Sequence, residues 1–484
     1  MDSKSIKNIL KFISAINLIV AILFFIPLIY GYLDKEEVYK ALTLNSIYMA
    51  FNLVLYLILI KHKVQMSIKD GILSVNIVWF TLGISAGALI SIGANVSFES
   101  GFFEAISGFT TTGATIFTDI EALPKYILLL RSLTHWIGGV GIIVLGVGLL
   151  TLINPTGSLT LFKSESTGIV LEKVTPKIKD TAKRVWGIYL LLTLLNAIVL
   201  YMGGMSGFDA INHAFSTIST GGFSTKNSSL GYWENNYFIL WVTTLFMFLS
   251  GVNFLAHIKA LNRDFRGYLS LEVKVYFTIF IILSLFLTVI NLDFYKGDLV
   301  NSLTHSFFTI SSILTTTGFA SVDYGVWSHI ALAIIFIAMF IGGSAGSTAG
   351  GVKVIRYIVL FKALFVQLKL ILHPSYITGI FIDKNRVDSK ILNSVSSFFL
   401  VYMVTTLILS FYIFSRGFDF LSSFSAAIAV VGNIGPGFAK VGPAQNFSIF
   451  SDFDKIVLAI FMIVGRLEIF TFLVIFTKSF WKRF

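Results

Sequence analysis

The sequence predicts an all-α integral membrane protein in which two N-terminal helices precede four tandem units. Each unit reads as helix, re-entrant half-helix, polar turn and helix, arranged around one central axis. Three observations predict this. Of 484 residues, 56% are hydrophobic and only 13% charged, and apolar runs of about 20 residues recur along the chain. Four shorter apolar segments lie among them, near 100–110, 207–218, 299–314 and 418–430. Each of these runs into a short turn of Thr, Ser, Gly or Asn.

Ten segments are long enough to span, at roughly 8–31, 39–60, 71–94, 124–153, 183–204, 233–257, 271–292, 325–349, 391–415 and 454–478. The apolar run Ile13–Tyr30 lacks a following small-residue cleavage site, so it is expected to stay as a helix. The four short segments hold 11–16 residues each, too few to cross at about 1.5 Å per residue. They read as half-helices that enter and return. In the long cytoplasmic connection before the fifth span, Thr175 is the expected N-cap, with Pro176 at the first helical position.

Charge follows this topology. Lys4, Lys7 and Lys11 precede the first span, and Lys61, Lys63 and Lys69 fill the second connection. Lys173, Lys177, Lys179, Lys183 and Arg184 approach the fifth, and Lys259, Arg263, Arg266 and Lys274 the seventh. Lys384, Arg386 and Lys390 precede the ninth, and Lys478, Lys482 and Arg483 follow the tenth. With both termini cytoplasmic and half-helices that do not cross, every group falls inside. The external connection Asp34-Lys35-Glu36-Glu37 is not basic. The net charge of +11 is therefore a topology signal and implies no nucleic-acid partner. With no cysteine, disulfides and thiolate metal sites are excluded. No loop is long enough for a soluble catalytic domain, and no His-Glu-x-x-His occurs, so no enzyme is expected.

The division expected is 1–69 for the two N-terminal helices, then repeats at 70–154, 155–258, 259–375 and 376–484. The half-helices open alike, at Ser100-Gly101-Phe102, Ser206-Gly207-Phe208-Asp209 and Arg416-Gly417-Phe418-Asp419. Ser206 and Asp209 have capping-box spacing. The turns read Thr110-Thr111-Thr112-Gly113, Ser219-Thr220-Gly221-Gly222, Thr315-Thr316-Thr317-Gly318 and Gly432-Asn433-Ile434-Gly435. Their last glycines lie 109, 96 and 117 residues apart.

Irregular backbone at membrane depth leaves carbonyls unpaired, which is tolerated only around a water-filled path. Four such turns on one axis can replace the hydration shell of a monovalent cation, each unit then being a helix–pore-loop–helix repeat around a central pore. The expected ion-lining residues are Thr111, Thr112, Gly113, Thr220, Gly221, Gly222, Thr316, Thr317, Gly318, Asn433, Ile434 and Gly435. Hydroxyls of the five threonines are candidate extra ligands. Glu99, Glu104, Asp209 and Asp419, near the outer half-helix ends, read as helix caps or as cation concentrators. Arg131 is expected to snorkel to the outer interface, and His213 and His305 to be satisfied core residues. Gly138, Gly139 and Gly141 fit small-residue helix packing.

These motifs resemble the Trk/Ktr/HKT superfamily of potassium transporters over nearly the whole chain. The likeness rests on the four turns, His135-Trp136-Ile137-Gly138-Gly139-Val140-Gly141, the Thr175–Trp186 stretch, Gly342–Lys353 and Gly465-Arg466-Leu467-Glu468. The two extra N-terminal spans favour the TrkH-like branch over the KtrB-like one. The resemblance implies a potassium-channel-like pore in each chain, potassium (and rubidium) as cargo, no organic cofactor, and a bacterial inner-membrane location. It also implies a homodimer and a separate cytosolic, nucleotide-binding subunit of the TrkA type. Glycine at all four filter positions fits potassium over sodium, whereas the fourth turn lacks the threonines of the first and third. The second reading is a symporter coupling potassium to protons or sodium through Glu104, Asp209 or Glu468.

The run Gly342-Gly343-Ser344-Ala345-Gly346-Ser347-Thr348-Ala349-Gly350-Gly351 interrupts the eighth span, and nothing comparable is expected after the other turns. Such composition makes a poor helix and a flexible loop. It is no phosphate loop, because Lys353 does not directly follow Gly351 and no strand precedes it. The resemblance implies that this loop obstructs the path under the filter. Arg466 lies about midway along the tenth span, where an arginine costs at least about 2.5–3.5 kcal/mol unless it faces protein or water. It is expected to touch the gate loop or to pair with Glu468, although residues two apart on a helix do not face each other.

Overall fold

The computed structural model describes residues 3–153, 178–373, 379–383 and 385–482. The expected N-cap Thr175 with Pro176, and Lys173, Lys177, Lys384 and Arg483 of the topology argument, lie outside the described residues. Helices α1 (Ser3–Leu33), α2 (Tyr39–Ile58) and α3 (Ile68–Ala94) lead into the first half-helix, α4 (Phe98–Phe109), and then α5 (Lys125–Ile153). The second repeat holds α6 (Ile178–Met202), the half-helix α7 (Gly207–Ile218), α8 (Tyr237–Ser250) and α9 (Phe254–Leu261). The third holds α10 (Leu271–Asn291), the half-helix α11 (Leu299–Leu314), α12 (His329–Ile341) and α13 (Val354–Leu372). A small antiparallel hairpin, β1 (Ile380–Ile382) with β2 (Asn385–Val387), precedes the fourth. There α14 (Ser389–Ser415) and the half-helix α15 (Phe420–Val431) are followed by α16 (Asp452–Arg466) and α17 (Phe470–Leu473).

Each half-helix begins at a residue whose side chain satisfies an orphan amide. Ser97 accepts from the Ser100 amide, Ser206 from Asp209, Asp298 from Val300 and Asn301, and Asp419 from Ser422. The capping box expected at Ser206 is half made. The Asp209 amide donates to Ser206 Oγ at 3.0 Å, but its carboxylate accepts from the Ser206 and Thr225 hydroxyls. Three half-helices have 12 residues and α11 has 16, so none crosses. Their inner ends are buried on every side, which is how a half-helix survives at membrane depth.

Six helices among the described residues are long and apolar enough to cross alone, and eight spans result if each sharply bent pair counts as one. The other two expected spans are α5, of 29 residues, and the interrupted pair α12 and α13. The sequence marked only the eighth span as broken, and this is corrected. The sixth bends by 98° at Gly251–Asn253, where Asn253 Oδ1 caps the next helix at the Leu255 amide. The tenth bends by 111° after Arg466, where Glu468 and Ile469 both adopt left-handed backbone. Hydropathy is blind to both, because Val252, Leu467 and Ile469 keep the composition apolar.

Candidate functional site

The four turns share one backbone conformation. In each, the second residue is left-handed (Thr111, Thr220, Thr316 and Asn433, φ 52–55°), and so is the fourth (Gly113, Gly222, Gly318 and Gly435, φ 78–99°). The third amide of each turn donates five residues back into its half-helix. Thr112 reaches Ser107 at 2.9 Å, and Gly221, Thr317 and Ile434 reach Ser216, Ser312 and Ala429 at 2.8 Å. Asn433-Ile434 therefore adopts the shape of the threonine turns without their side chains. Alternating left-handed residues expose carbonyls, and the fourth position carries glycine.

The turns meet in a closed ring. A Cβ on Gly113 would lie 2.1 Å from Gly221 O, one on Gly222 2.0 Å from Thr317 O, one on Gly318 2.2 Å from Ile434 O, and one on Gly435 2.6 Å from Thr112 O. Each fourth-position glycine thus abuts a carbonyl of the next turn, in the order one to two to three to four and back to one. A vestibule opens above them, lined by all four glycines together with Thr115, Lys226 and Gln445.

Side chains of the second and third positions are less uniform. Thr112 Oγ1 pairs with Thr110 Oγ1 at 2.8 Å, and Thr317 Oγ1 with Thr315 Oγ1 at 2.7 Å, so these hydroxyls are engaged within their own turns. Thr220 donates to Ser219 O at 2.6 Å. Asn433 Nδ2 donates to Thr112 Oγ1 at 2.9 Å and to Met462 O at 3.0 Å, tying turn four to turn one. Thr111 Oγ1 is buried with no hydrogen-bond partner. What the four turns share is backbone geometry, not their hydroxyls.

Behind turns one and two lies a group misread in the sequence. Arg131 does not snorkel outward; it is 1% exposed and its Nε donates to Glu104 Oε1 at 2.8 Å. Glu104, 0% exposed in the middle of α4, is neither a helix cap nor an ion trap. It also accepts from Thr115 Oγ1 at 2.9 Å and from the Ile116 amide at 3.0 Å. An arginine in an apolar segment reads as an interface anchor; its partner, 27 residues earlier on another helix, gives no periodic signal. His213 is satisfied by Asp209 O and Ser224 Oγ, and His305 by Ser321 Oγ, as expected of core residues. Gly138 and Gly139 pack against Phe109 and Ser219, whereas Gly141 has open space where a Cβ would stand.

Beneath the turns runs the segment Gly342–Gly351. Gly350 N–H donates to Thr316 Oγ1 at 2.6 Å, and Gly351 N–H to Gly432 O at 3.0 Å, so its far end reaches turns three and four. Thr348 Oγ1 donates to Ile218 O at 3.1 Å and Ser250 O at 3.2 Å, which adds the base of turn two and the bend of the sixth span. Ser344 N–H reaches Gly251 O at 2.8 Å, and Ser347 Oγ closes back on Ser344 O. Gly342 (φ 81°) abuts Gly350 and Gly351, and Gly343 abuts Ala349, so the loop folds on itself; Gly346 O accepts from Phe254 N–H. Arg466 Nη1 donates to Thr348 O at 3.0 Å and Nη2 to Gly138 O at 3.4 Å. The alternative of an Arg466–Glu468 pair is corrected, because Glu468 pairs with Arg356, which stacks on Phe398. The left-handed turn at Glu468 sends the two side chains to different partners.

Two further residues escaped the sequence reading. Glu272, at the start of α10, accepts from Ala345 N–H at 2.6 Å, and Lys353 Nζ donates to Ala349 O. Both are charged residues near predicted helix ends, where a solvated face is the ordinary expectation. Among the described residues no cluster of three His, Asp or Glu could hold a metal.

Comparison with known proteins agrees with this geometry. Residues 40–483 match the family model TrkH, described as cation transport protein. The chain is 37% identical to the Trk system potassium uptake protein TrkH of Escherichia coli K12, over 87% of this chain and 88% of that one. It is 31% identical to the TrkH protein of Halomonas elongata, over 99% and 100%. The crystal structure of the potassium transporter TrkH from Vibrio parahaemolyticus superposes with a TM-score of 0.88 at 32% identity, covering 99% of this chain and 100% of that one.

Proposed function

The chain belongs to the TrkH family of cation transport proteins, and on that premise we propose that it carries potassium into the cell through the ring of four turns. One observation carries the reading: each filter glycine lies against a carbonyl of the next turn, so four backbones converge with no room for a side chain between them. An ion entering from the vestibule exchanges water for main-chain oxygens, and the fit of that cage favours potassium and rubidium over sodium. The resident chemistry is dehydration and electrostatics, with no catalytic step.

The reading extends to residues. The ion-lining set is Thr111 to Gly113, Thr220 to Gly222, Thr316 to Gly318 and Asn433 to Gly435, with carbonyls as the principal ligands. The gate is Gly342 to Gly351 with Arg466. In the docked loop, the amides of Gly350 and Gly351 take the oxygens of Thr316 and Gly432 that a potassium ion leaving the filter would use. The Arg466 guanidinium, fixed on Thr348 O, adds positive charge beside the path. The repeats 70–154, 155–258, 259–375 and 376–484 each supply one turn. We place the protein in a bacterial inner membrane as a homodimer with cytoplasmic termini. A cytosolic nucleotide-binding subunit of the TrkA type opens the gate loop.

Conduction is favoured over coupled symport by the state of the candidate proton carriers. Glu104 pairs with Arg131, Glu468 with Arg356, and Asp209 accepts from Ser206 and Thr225. The test is reconstitution in liposomes with potassium, rubidium and sodium gradients. A reversal potential that follows potassium alone is expected; one that shifts with pH or sodium at fixed potassium overturns conduction in favour of coupling.

A further inference from the structure

The left-handed turns are held on their inner side by amide bonds into the half-helices. In every repeat a neutral contact to the half-helix holds the strand that leaves the turn toward the vestibule. In the third, Ser312 Oγ donates to Phe319 O at 2.6 Å and His305 meets Ser321 Oγ at 3.0 Å. In the fourth, Ser425 Oγ accepts from Phe438 N–H at 2.9 Å. These are neutral contacts within one repeat. Repeats one and two have their counterparts, Ser107 Oγ donating to Ala114 O at 2.6 Å and His213 Nε2 meeting Ser224 Oγ at 2.9 Å, and behind these two turns a buried ion pair adds a bridge from one repeat to the next.

Arg131 uses its whole fork. Its Nε donates to Glu104 Oε1, Nη2 to Thr115 Oγ1 at 3.2 Å, and Nη1 to Ser224 O at 3.3 Å. Thr115 stands two residues beyond Gly113 and Ser224 two residues beyond Gly222. The guanidinium also lies 4.1 Å from the ring centre of Phe223, the residue directly after Gly222. Glu104 completes the clamp from α4 by accepting from Thr115 Oγ1 and the Ile116 amide. Arg131 thereby bridges the outgoing strands of adjacent turns, where Gly113 abuts Gly221 O.

We propose that the Glu104–Arg131 pair is a positioning device for the filter, setting the spacing between turns one and two and with it the discrimination of potassium from sodium. The proposal rests on the filter reading given above. A guanidinium suits the task because its donors are fixed in one plane and can serve three acceptors at once. Burial keeps the pair from being screened by salt, and Glu104 neutralises a cation that would otherwise repel potassium at the mouth. A purely structural ion pair makes a different forecast, since replacing both partners by uncharged groups is often tolerated without functional change.

The experiment measures potassium/sodium permeability ratios of monodisperse protein in liposomes at low and high ionic strength. Arg131→Lys keeps the charge but loses the fork, and is expected to lower the ratio roughly tenfold, the change made by losing one charge-assisted hydrogen bond. Glu104→Gln is expected to lower the ratio and also to cut potassium flux at low salt, because Arg131 is left unpaired. In the double variant Glu104→Gln/Arg131→Met the salt-dependent loss disappears while the lowered ratio stays. The double variant also serves if either single variant fails to fold, since it leaves no unpaired charge. A parental ratio in the folded variants, with Gly113→Ser still lowering it, overturns the positioning role and leaves the filter standing. A parental ratio in all of them, Gly113→Ser included, overturns the filter reading and this proposal with it.

Discussion

The outer and inner halves of the four repeats obey different rules. Outside, the repeats are near copies: a capped half-helix, left-handed backbone at the second and fourth turn positions, and an amide bonded five residues back. The copying is of backbone, since Asn433-Ile434 takes the same shape as Thr111-Thr112. Inside, the repeats diverge. The helix after turn one runs on for 29 residues, the second bends by 98°, the third gives way to a ten-residue loop, and the fourth bends by 111°. Coordinating one ion on an axis needs four equivalent surroundings, whereas regulating it needs a single element that can move against fixed ones. On the proposed function, the difference separates selectivity, outside, from control, inside.

The sharpest way to break that division is in the outer ring. Gly113→Ser puts a side chain on left-handed backbone, at about 1–2 kcal/mol. It also drives a Cβ to 2.1 Å from Gly221 O, an overlap of the kind that costs about 1–3 kcal/mol to relieve. Together these amount to a loss of potassium preference on the order of 100-fold, read as the potassium/sodium permeability ratio. An unchanged ratio in folded protein means the ring is not the selective element.

The next effect belongs to the inner half. Arg466→Ala removes a charged hydrogen bond to Thr348 O and a cation from beside the path. Bonds to charged groups contribute about 1.5–3 kcal/mol, so basal potassium flux without any cytosolic partner should rise by at least about tenfold. The permeability ratio should not change. Flux equal to the parent at matched protein density removes Arg466 from the gate, and a changed ratio erases the separation between halves.

What the sequence made legible follows the same line. Half-helix placement came within two residues at each end, because length, Ser or Asp caps and a following glycine turn are local signals. The positions of the four turns were readable for the same reason. The Glu104–Arg131 pair, the Glu272 contact and the bends at Gly251–Asn253 and Leu467–Ile469 were not. Each depends on partners far apart in sequence or on backbone angles that hydropathy does not encode. Arg466 was legible as a misplaced charge and as a contact of the Gly342–Gly351 loop, which it makes at Thr348 O, whereas its second contact, to Gly138 O in the first repeat, was not.

The smallest expected effect sharpens the comparison most, because it touches the point where the halves meet. Gly350 sits where a Cβ would lie 2.4 Å from Gly432 O and 3.2 Å from Thr316 Oγ1, against the inner ends of turns four and three. Unlike the filter glycines, Gly350 is not in left-handed backbone, so alanine there carries no intrinsic conformational strain. Its conflict is with turns four and three, against which the docked loop holds it. Gly350→Ala therefore weakens the two amide bonds to Thr316 and Gly432, each worth about 0.5–1.5 kcal/mol, while the Thr348 and Ser344 anchors remain. The loop should undock more often and basal potassium flux rise about threefold, with the potassium/sodium ratio held. A fall in the ratio would show that the loop helps shape the innermost coordination site, and that control and selectivity share residues at this level of the pore.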